Sequence, residues 1–204
     1  MGGVRRLGIL GGTFDPVHLG HLILGQQAQE QLALDRVLFV PAAQPWRKSG
    51  RRVTPPGERL EMVRLAVADN PLFEASSIEI DRGGPSYTAD TLEQLRGELP
   101  DCELYFIAGQ DALEDLPFWK DPDRILRLAR VAVAARPGHE RRIPAALRAL
   151  TPDPEERVVR VEMPLVEISG TLLRERARRG LSLRYFLPPA VEAYVRDRGL
   201  YRDP

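Results

Sequence analysis

The sequence predicts an α/β fold: a doubly wound, mostly parallel sheet with helices on both faces and a helical C-terminal segment. Two observations predict it. Short β-type apolar runs alternate with segments of helical periodicity along most of the 204 residues. The intervening helices are long enough for the right-handed crossovers that join parallel strands. In chain order, VRRLGIL near Val4 reads as the first strand and LGHLILGQQAQEQLAL as the first helix. DRVLFVP near Val37 is the second strand. PAAQPWRKSGRRVTPPGE, from Pro41 to Glu58, is the longest expected loop, and long loops in compact domains are often functional. PPGERLEMVRLAVADN reads as a helix, FEASSIEI near Phe73 as a strand, SYTADTLEQLRGELP as a helix and ELYFIAG near Leu104 as a strand. DPDRILRLA is a shorter helix with Asp121 as its N-cap before Pro122. VAVAARPG near Val131 and RVVRVEMP near Val158 complete the strands, and helical segments follow Gly170 and Pro188. No internal repeat is present. One domain over residues 1–204 is expected, with the helical segment from about 169 to 204 packed on it.

Composition narrows the function classes. A hydrophobic fraction of 43% and a charged fraction of 28% are ordinary for a soluble globular protein. Lys plus Arg balances Asp plus Glu at 29 each, so no whole-molecule field draws nucleic acid or an anionic membrane, and any anion site must be local. The single cysteine, Cys102, cannot close an internal disulfide, which fits a reducing compartment. It lies in CELYFIAG and reads as a packed strand residue rather than a nucleophile. The opening apolar run is too short for a signal peptide and no stretch could span a bilayer, so a cytoplasmic location is expected.

The segment Gly11 to His21, GGTFDPVHLGH, follows the first strand and precedes the first helix, where open α/β sheets bind ligands. It matches neither the P-loop nor GxGxxG. Gly11 and Gly12 nevertheless lack Cβ and would let backbone N–H groups approach an anion. Pro16 would stiffen the turn, and a helix starting near His18 or Leu19 would aim its N–H groups at the same spot. His18 and His21 could be a metal pair, but zinc needs further ligands and His139 sits in a basic loop without a thiolate, so no metal site is expected. They could also be one packed and one exposed histidine. Their coincidence with the glycines and the strand-to-helix position favours phosphate.

Three further constellations carry chemistry. In EISGTLLRERARRG, Ser169 and Thr171 fall at a helix start with Arg174 one turn on, a second anion cradle; Arg176, Arg178 and Arg179 read as a solvated face. In IAGQDALEDLPFWKDP, Gly109 and Asp111 follow a strand that ends near Ala108, Asp111 being equally an N-cap or a ribose or adenine partner, and Trp119 sits among polar neighbours that suggest partial exposure. In DRGGPSYTADTLEQL, Gly83, Gly84 and Pro85 make a turn, and Tyr87 and Thr88 start a helix whose first N–H groups could hold a carboxylate.

GGTFDPVHLGH resembles the ATP-binding signature of the HxGH nucleotidyltransferase superfamily, in the form typical of bacterial nicotinate-nucleotide adenylyltransferases. Four motif regions in the expected order, from Gly8 to about Arg179, carry the resemblance. It implies a Rossmann-like fold, with His18, His21 and Arg174 catalytic and Gly11, Gly12, Thr13, Phe14, Lys48, Gly109, Asp111, Ser169 and Thr171 binding ATP. Tyr87, Thr88 and Trp119 would bind nicotinate. Two departures stand out: Gly170 replaces a hydroxyl residue in ISSTxIR, and Trp46-Arg47-Lys48 replaces the commoner PPHK while keeping the lysine. The implied reaction is attack by the phosphate of nicotinate mononucleotide on the α-phosphorus of ATP, giving deamido-NAD and pyrophosphate, with Mg²⁺ carried by ATP. A phosphate monoester has its second pKa near ~6, so no general base is needed. ATP and nicotinate mononucleotide are the expected partners, with a homo-oligomer left open. Other phosphate-monoester acceptors and a regulatory nucleotide-binding module are the alternatives.

Overall fold

The computed structural model describes residues 5–45, 53–135 and 143–202. Lys48, Trp46, Arg47, Arg51, Arg52 and His139 fall outside the described residues. Among the described residues, six strands form one sheet: β1 (Arg6–Gly12), β2 (Arg36–Pro41), β3 (Phe73–Ala75), β4 (Glu103–Gly109), β5 (Arg130–Ala135) and β6 (Val158–Glu162). All five pairings are parallel, in the order β3-β2-β1-β4-β5-β6. The order reverses direction between β1 and β4, and an open α/β sheet binds ligands beyond the carboxyl ends at such a switch point. Register places Gly12 beside Pro41 and Gly109 beside Ala134, so four strands end along one edge.

The strands are apolar nearly throughout because both faces are covered. Val37 and Phe39, Tyr105 and Ile107 point into one core, while Leu38 and Val40, Leu104 and Phe106 point into the other. The first core takes α1 (Leu19–Leu32), α2 (Pro56–Val67), α9 (Gly170–Arg178) and α10 (Pro189–Asp197), through Leu24, Met62, Leu173 and Val191 among others. The second takes α4 (Thr88–Glu98), α5 (Gln110–Asp115), α6 (Pro122–Leu128) and α7 (Ala145–Arg148). Short helices α3 (Ile78–Arg82) and α8 (Pro154–Arg157) complete the set among the described residues. The expected doubly wound sheet with a helical C-terminal segment is therefore what the chain forms. Among the described residues no helix is long and apolar enough to cross a membrane.

One local expectation needs correction and two gain detail. FEASSIEI is not one strand: β3 ends at Ala75, and Ile78 begins α3. Ser77 makes the break, since its carbonyl accepts from Asp81 N–H at 2.8 Å and its hydroxyl donates to the Asp81 carboxylate at 2.6 Å. Asp121 does stand at the N-cap of α6 but in a left-handed conformation (φ 51°) that makes no side-chain cap bond. Its carboxylate instead lies 3.7 Å from Arg124. Cys102 is buried one residue ahead of β4, and burial pushes its thiol pKa up, which suits a packed rather than a nucleophilic cysteine.

Candidate active site

The segment between β1 and α1 folds differently from the glycine turn expected of it. Gly11 and Gly12 are the last residues of β1, paired with Val40 and Pro41. The left-handed residue is Phe14, at φ 49°, a conformation that costs a non-glycine residue about 1 kcal/mol. Gly12 makes that turn possible by leaving space, because a Cβ there would sit 3.0 Å from the Phe14 ring. The buried Phe14 ring then meets His21 edge-on, centroids 4.9 Å apart at 75°. The Asp15–Pro16 peptide is cis.

His18 is the N-cap of α1, and its ring stacks on that of His21 with centroids 3.7 Å apart. The His18 backbone N–H donates to His21 Nδ1 at 3.2 Å. That bond sets a tautomer: a neutral His21 carries its proton on Nε2. His18 is 6% exposed, and burial lowers its pKa to about 4, so it is neutral near pH 7. Its Nδ1 has no hydrogen-bond partner among the described residues. The α1 terminus is also less open than expected, since Leu19 N–H is already taken by the Phe186 carbonyl at 2.9 Å.

The second anion motif arrives from 159 residues away. Arg174 donates from Nη1 to the Asp15 carbonyl at 2.6 Å and from Nη2 to Thr171 Oγ1 at 3.2 Å. This joins the start of α9 to the His18–His21 loop. Ser169 is the N-cap of α9, and its hydroxyl accepts from Leu172 N–H at 3.2 Å, so its oxygen is engaged as a cap. Gly170 explains its own departure from the motif. A Cβ there would lie 2.9 Å from the Asp15 carbonyl oxygen and 3.0 Å from Arg174 Nη1, where backbone leaves no room.

At the same sheet edge, Gly109 is the N-cap of α5, and Asp111 is an exposed residue in that helix's first turn rather than a cap. Tyr87 is the N-cap of α4 and Thr88 its first residue, without a side-chain cap bond. The turn before them is pinned to the end of β2: Ala43 N–H donates to Ser86 Oγ at 2.8 Å and Ser86 N–H to the Gln44 carbonyl at 3.1 Å. Trp119 is half-buried, edge-on to Phe106 at 5.8 Å, and its indole Nε1 has no partner among the described residues. Its neighbour Lys120 bridges to the α4 start, 4.5 Å above the Tyr87 ring and 3.1 Å from Asp90. Residues 87–88 and 119–120 are thereby brought to one place.

Three residues that sequence reasoning missed hold this assembly. Arg59 of α2 is 1% exposed and donates to the carbonyls of Thr13 (2.7 Å), Ala42 (2.6 Å) and Thr54 (2.8 Å). Its signal was an arginine on the stripe that buries Met62, Val63 and Ala66. Asp15 is 7% exposed and accepts from Tyr201 Oη at 2.8 Å. Among the described residues, no group of three or more His, Cys, Asp or Glu could hold a metal ion.

Arg174 thus joins the α9 start to the His18–His21 loop, while Lys120 brings the segment after Trp119 against the Tyr87–Thr88 start of α4. Comparison with known proteins places the chain in a family. The chain matches the cytidylyltransferase-like family over residues 9–176, which take in both the His18–His21 and the Ser169–Arg174 segments. It is 50% identical to a protein of Roseiflexus sp. (strain RS-1) named "Probable nicotinate-nucleotide adenylyltransferase", covering 96% of this chain and 98% of that one. A protein of the same name from Thermomicrobium roseum is 47% identical, covering 98% and 92%. Among solved structures, Plasmodium falciparum nicotinic acid mononucleotide adenylyltransferase complexed with NaAD superposes with a TM-score of 0.77 over 97% of each chain at 16% identity, a likeness of fold. By its sequence relatives, then, this chain belongs to the cytidylyltransferase-like family and, within it, to the nicotinate-nucleotide adenylyltransferases.

Proposed function

We propose that this protein transfers the adenylyl group of ATP to nicotinate mononucleotide, forming nicotinate adenine dinucleotide and releasing pyrophosphate. One observation carries the reading: the Arg174–Asp15 carbonyl bond at 2.6 Å joins the α9 start to the loop that carries the stacked His18–His21 pair, which supports one triphosphate clamp drawn from two distant motifs. Family membership supplies the acceptor class.

The acceptor phosphate, already an anion at neutral pH with its second pKa near ~6, attacks the α-phosphorus in line, and the bond to the β-phosphate bridge oxygen breaks. No proton need be removed from the nucleophile. Catalysis is positioning plus donors aimed at the charge that develops on the leaving pyrophosphate. His21 Nε2–H is one such donor, with its tautomer set by the His18 backbone. His18 is a second, its unpartnered buried Nδ1 being a group that a ligand oxygen would satisfy. Arg174 adds a fixed positive charge, and Lys48 a further one. Backbone groups of Gly11, Gly12, Thr13 and Phe14 face the triphosphate, with Ser169 and Thr171 at the α9 start on its far end. Gly109 and Asp111 flank the adenosine. Thr88 N–H and the α4 dipole receive the nicotinate carboxylate, with Tyr87 and Trp119 about the pyridine ring. A divalent ion enters with ATP, held by its phosphates and waters, and Mg²⁺ is the ion we assign.

The test is direct. Incubation with MgATP and nicotinate mononucleotide should yield the dinucleotide and pyrophosphate in equal amounts. ATP binding without turnover would reject the proposal.

A further inference from the structure

We propose that Tyr201, close to the end of the chain, is a positioning residue for the His18–His21 pair and acts through Asp15. The inference rests on the adenylyl-transfer reading for its kinetic arm and on geometry alone for the other.

The loop from Thr13 to His18 is gripped at three successive points. Arg59 of α2 takes the Thr13 carbonyl at 2.7 Å, and Arg174 of α9 takes the Asp15 carbonyl at 2.6 Å. Tyr201 Oη takes the Asp15 carboxylate at 2.8 Å, with Met62 Sδ 3.9 Å from the same hydroxyl. The two arginines hold backbone; Tyr201 alone of the three bonds the side chain. Arg174 Nη1 stands at 3.9 Å from Asp15 Oδ2, a charge contact rather than a hydrogen bond. Burial, and then the charge of Asp15, push the Tyr201 hydroxyl above its ordinary pKa, which keeps it a donor across the physiological range. Phe14, left-handed beside Asp15, puts its ring edge against His21. A backbone shift at Asp15 on loss of this anchor would reach Phe14 on one side and the Pro16–His18 stretch on the other. Both lead to the histidines.

The same segment supplies its own control. Tyr194 of α10 donates to Glu58 Oε2, also at 2.8 Å, in a partnership that includes Arg198. It is a tyrosine–carboxylate bond of equal length that ties the C-terminal segment to α2 without touching the loop. Tyr201→Phe and Tyr194→Phe each delete one such hydroxyl and keep the ring.

The experiment compares the two variants with the parent by steady-state kinetics, thermal unfolding and the imidazole ¹H–¹³C NMR signals of His18 and His21. Tyr201→Phe takes a donor from a buried carboxylate and should lose more Tm than Tyr194→Phe, whose partner Glu58 is more exposed and keeps Arg198. Tyr201→Phe should lower kcat about tenfold, equivalent to about 1.4 kcal/mol, with KM for ATP changed less than about twofold, and should displace both histidine signals. Tyr194→Phe should keep the parent kcat and signals. Parent-like kcat and signals in Tyr201→Phe overturn the proposal, and so does an equal kinetic loss in both variants, which would mean general loosening. If the parent itself transfers no adenylyl group, the functional reading fails and the histidine signals alone decide this one. Should Tyr201→Phe not fold, Asp15→Asn and Asp15→Ala replace it. The amide oxygen can still accept from Tyr201, so the histidine signals of Asp15→Asn should lie closer to the parent's, and equal displacement in both overturns the assignment.

Discussion

Burying His18 as a neutral ring makes folding stability depend on pH, with a sign and size that follow from the structure. Its pKa falls from 6.5 in an unfolded chain to about 4 in the fold because burial penalises the cation. Between those values the unfolded chain binds more protons than the native state, so stability rises with pH and is lost as pH falls below about 6.5. The loss is about 1 kcal/mol at pH 6 and about 2 kcal/mol at pH 5, and approaches about 3 kcal/mol once both states are protonated. That is a large share of the 5–15 kcal/mol typical of a domain. Other groups titrate in the same range, so the informative quantity is a difference. Urea unfolding of the parent and of His18→Asn, which cannot titrate, should be followed at several pH values from 7.5 to 5. The parent should lose about 2 kcal/mol more than the variant across that interval. A difference that stays within about 0.5 kcal/mol would refute the buried neutral histidine, whatever stability the variant has at pH 7.5.

Two substitutions probe the scaffold of the clamp. Restoring a hydroxyl with Gly170→Ser should harm rather than help: the new Cβ meets the Asp15 carbonyl at 2.9 Å, so a cost of about 1–3 kcal/mol in thermal unfolding and a lower kcat are expected, whereas tighter ATP binding would contradict the steric account. Arg59→Met leaves the Thr13, Ala42 and Thr54 carbonyls without their shared donor, and should destabilise the fold by on the order of 3 kcal/mol in chemical denaturation; a loss under about 1 kcal/mol would show that water replaces the guanidinium at little cost.

How far the molecule could be read from its sequence depended on how local each signal was. β1, β2, β4, β5 and β6 were legible because strands buried on both faces carry near-continuous apolar runs, and their helical spacers imply parallel pairing. FEASSIEI misled because two isoleucines follow a genuine strand, and the serine that ends it acts through a hydrogen bond made only once the chain has turned. Gly11 and Gly12 suggested a glycine turn that the fold does not make: the left-handed residue is Phe14, and Gly12 contributes the space its ring occupies. At Gly170 a motif comparison suggested a missing contact, while the fold supplies a positive cause in the approach of α9 to Asp15. Arg59 could have been found as a charge on an apolar helical stripe. Tyr201 could not, because its partner lies 186 residues away.

The most direct measurement of the central claim is the ratio of kcat/KM for nicotinate mononucleotide to that for its amide counterpart, with saturating MgATP and the dinucleotide product identified. The helix terminus at Thr88 should favour the carboxylate, so the account predicts turnover with the acid at about tenfold or greater preference. Equal or better use of the amide would contradict the carboxylate cradle at Tyr87 and Thr88, and no turnover with either would contradict the clamp itself.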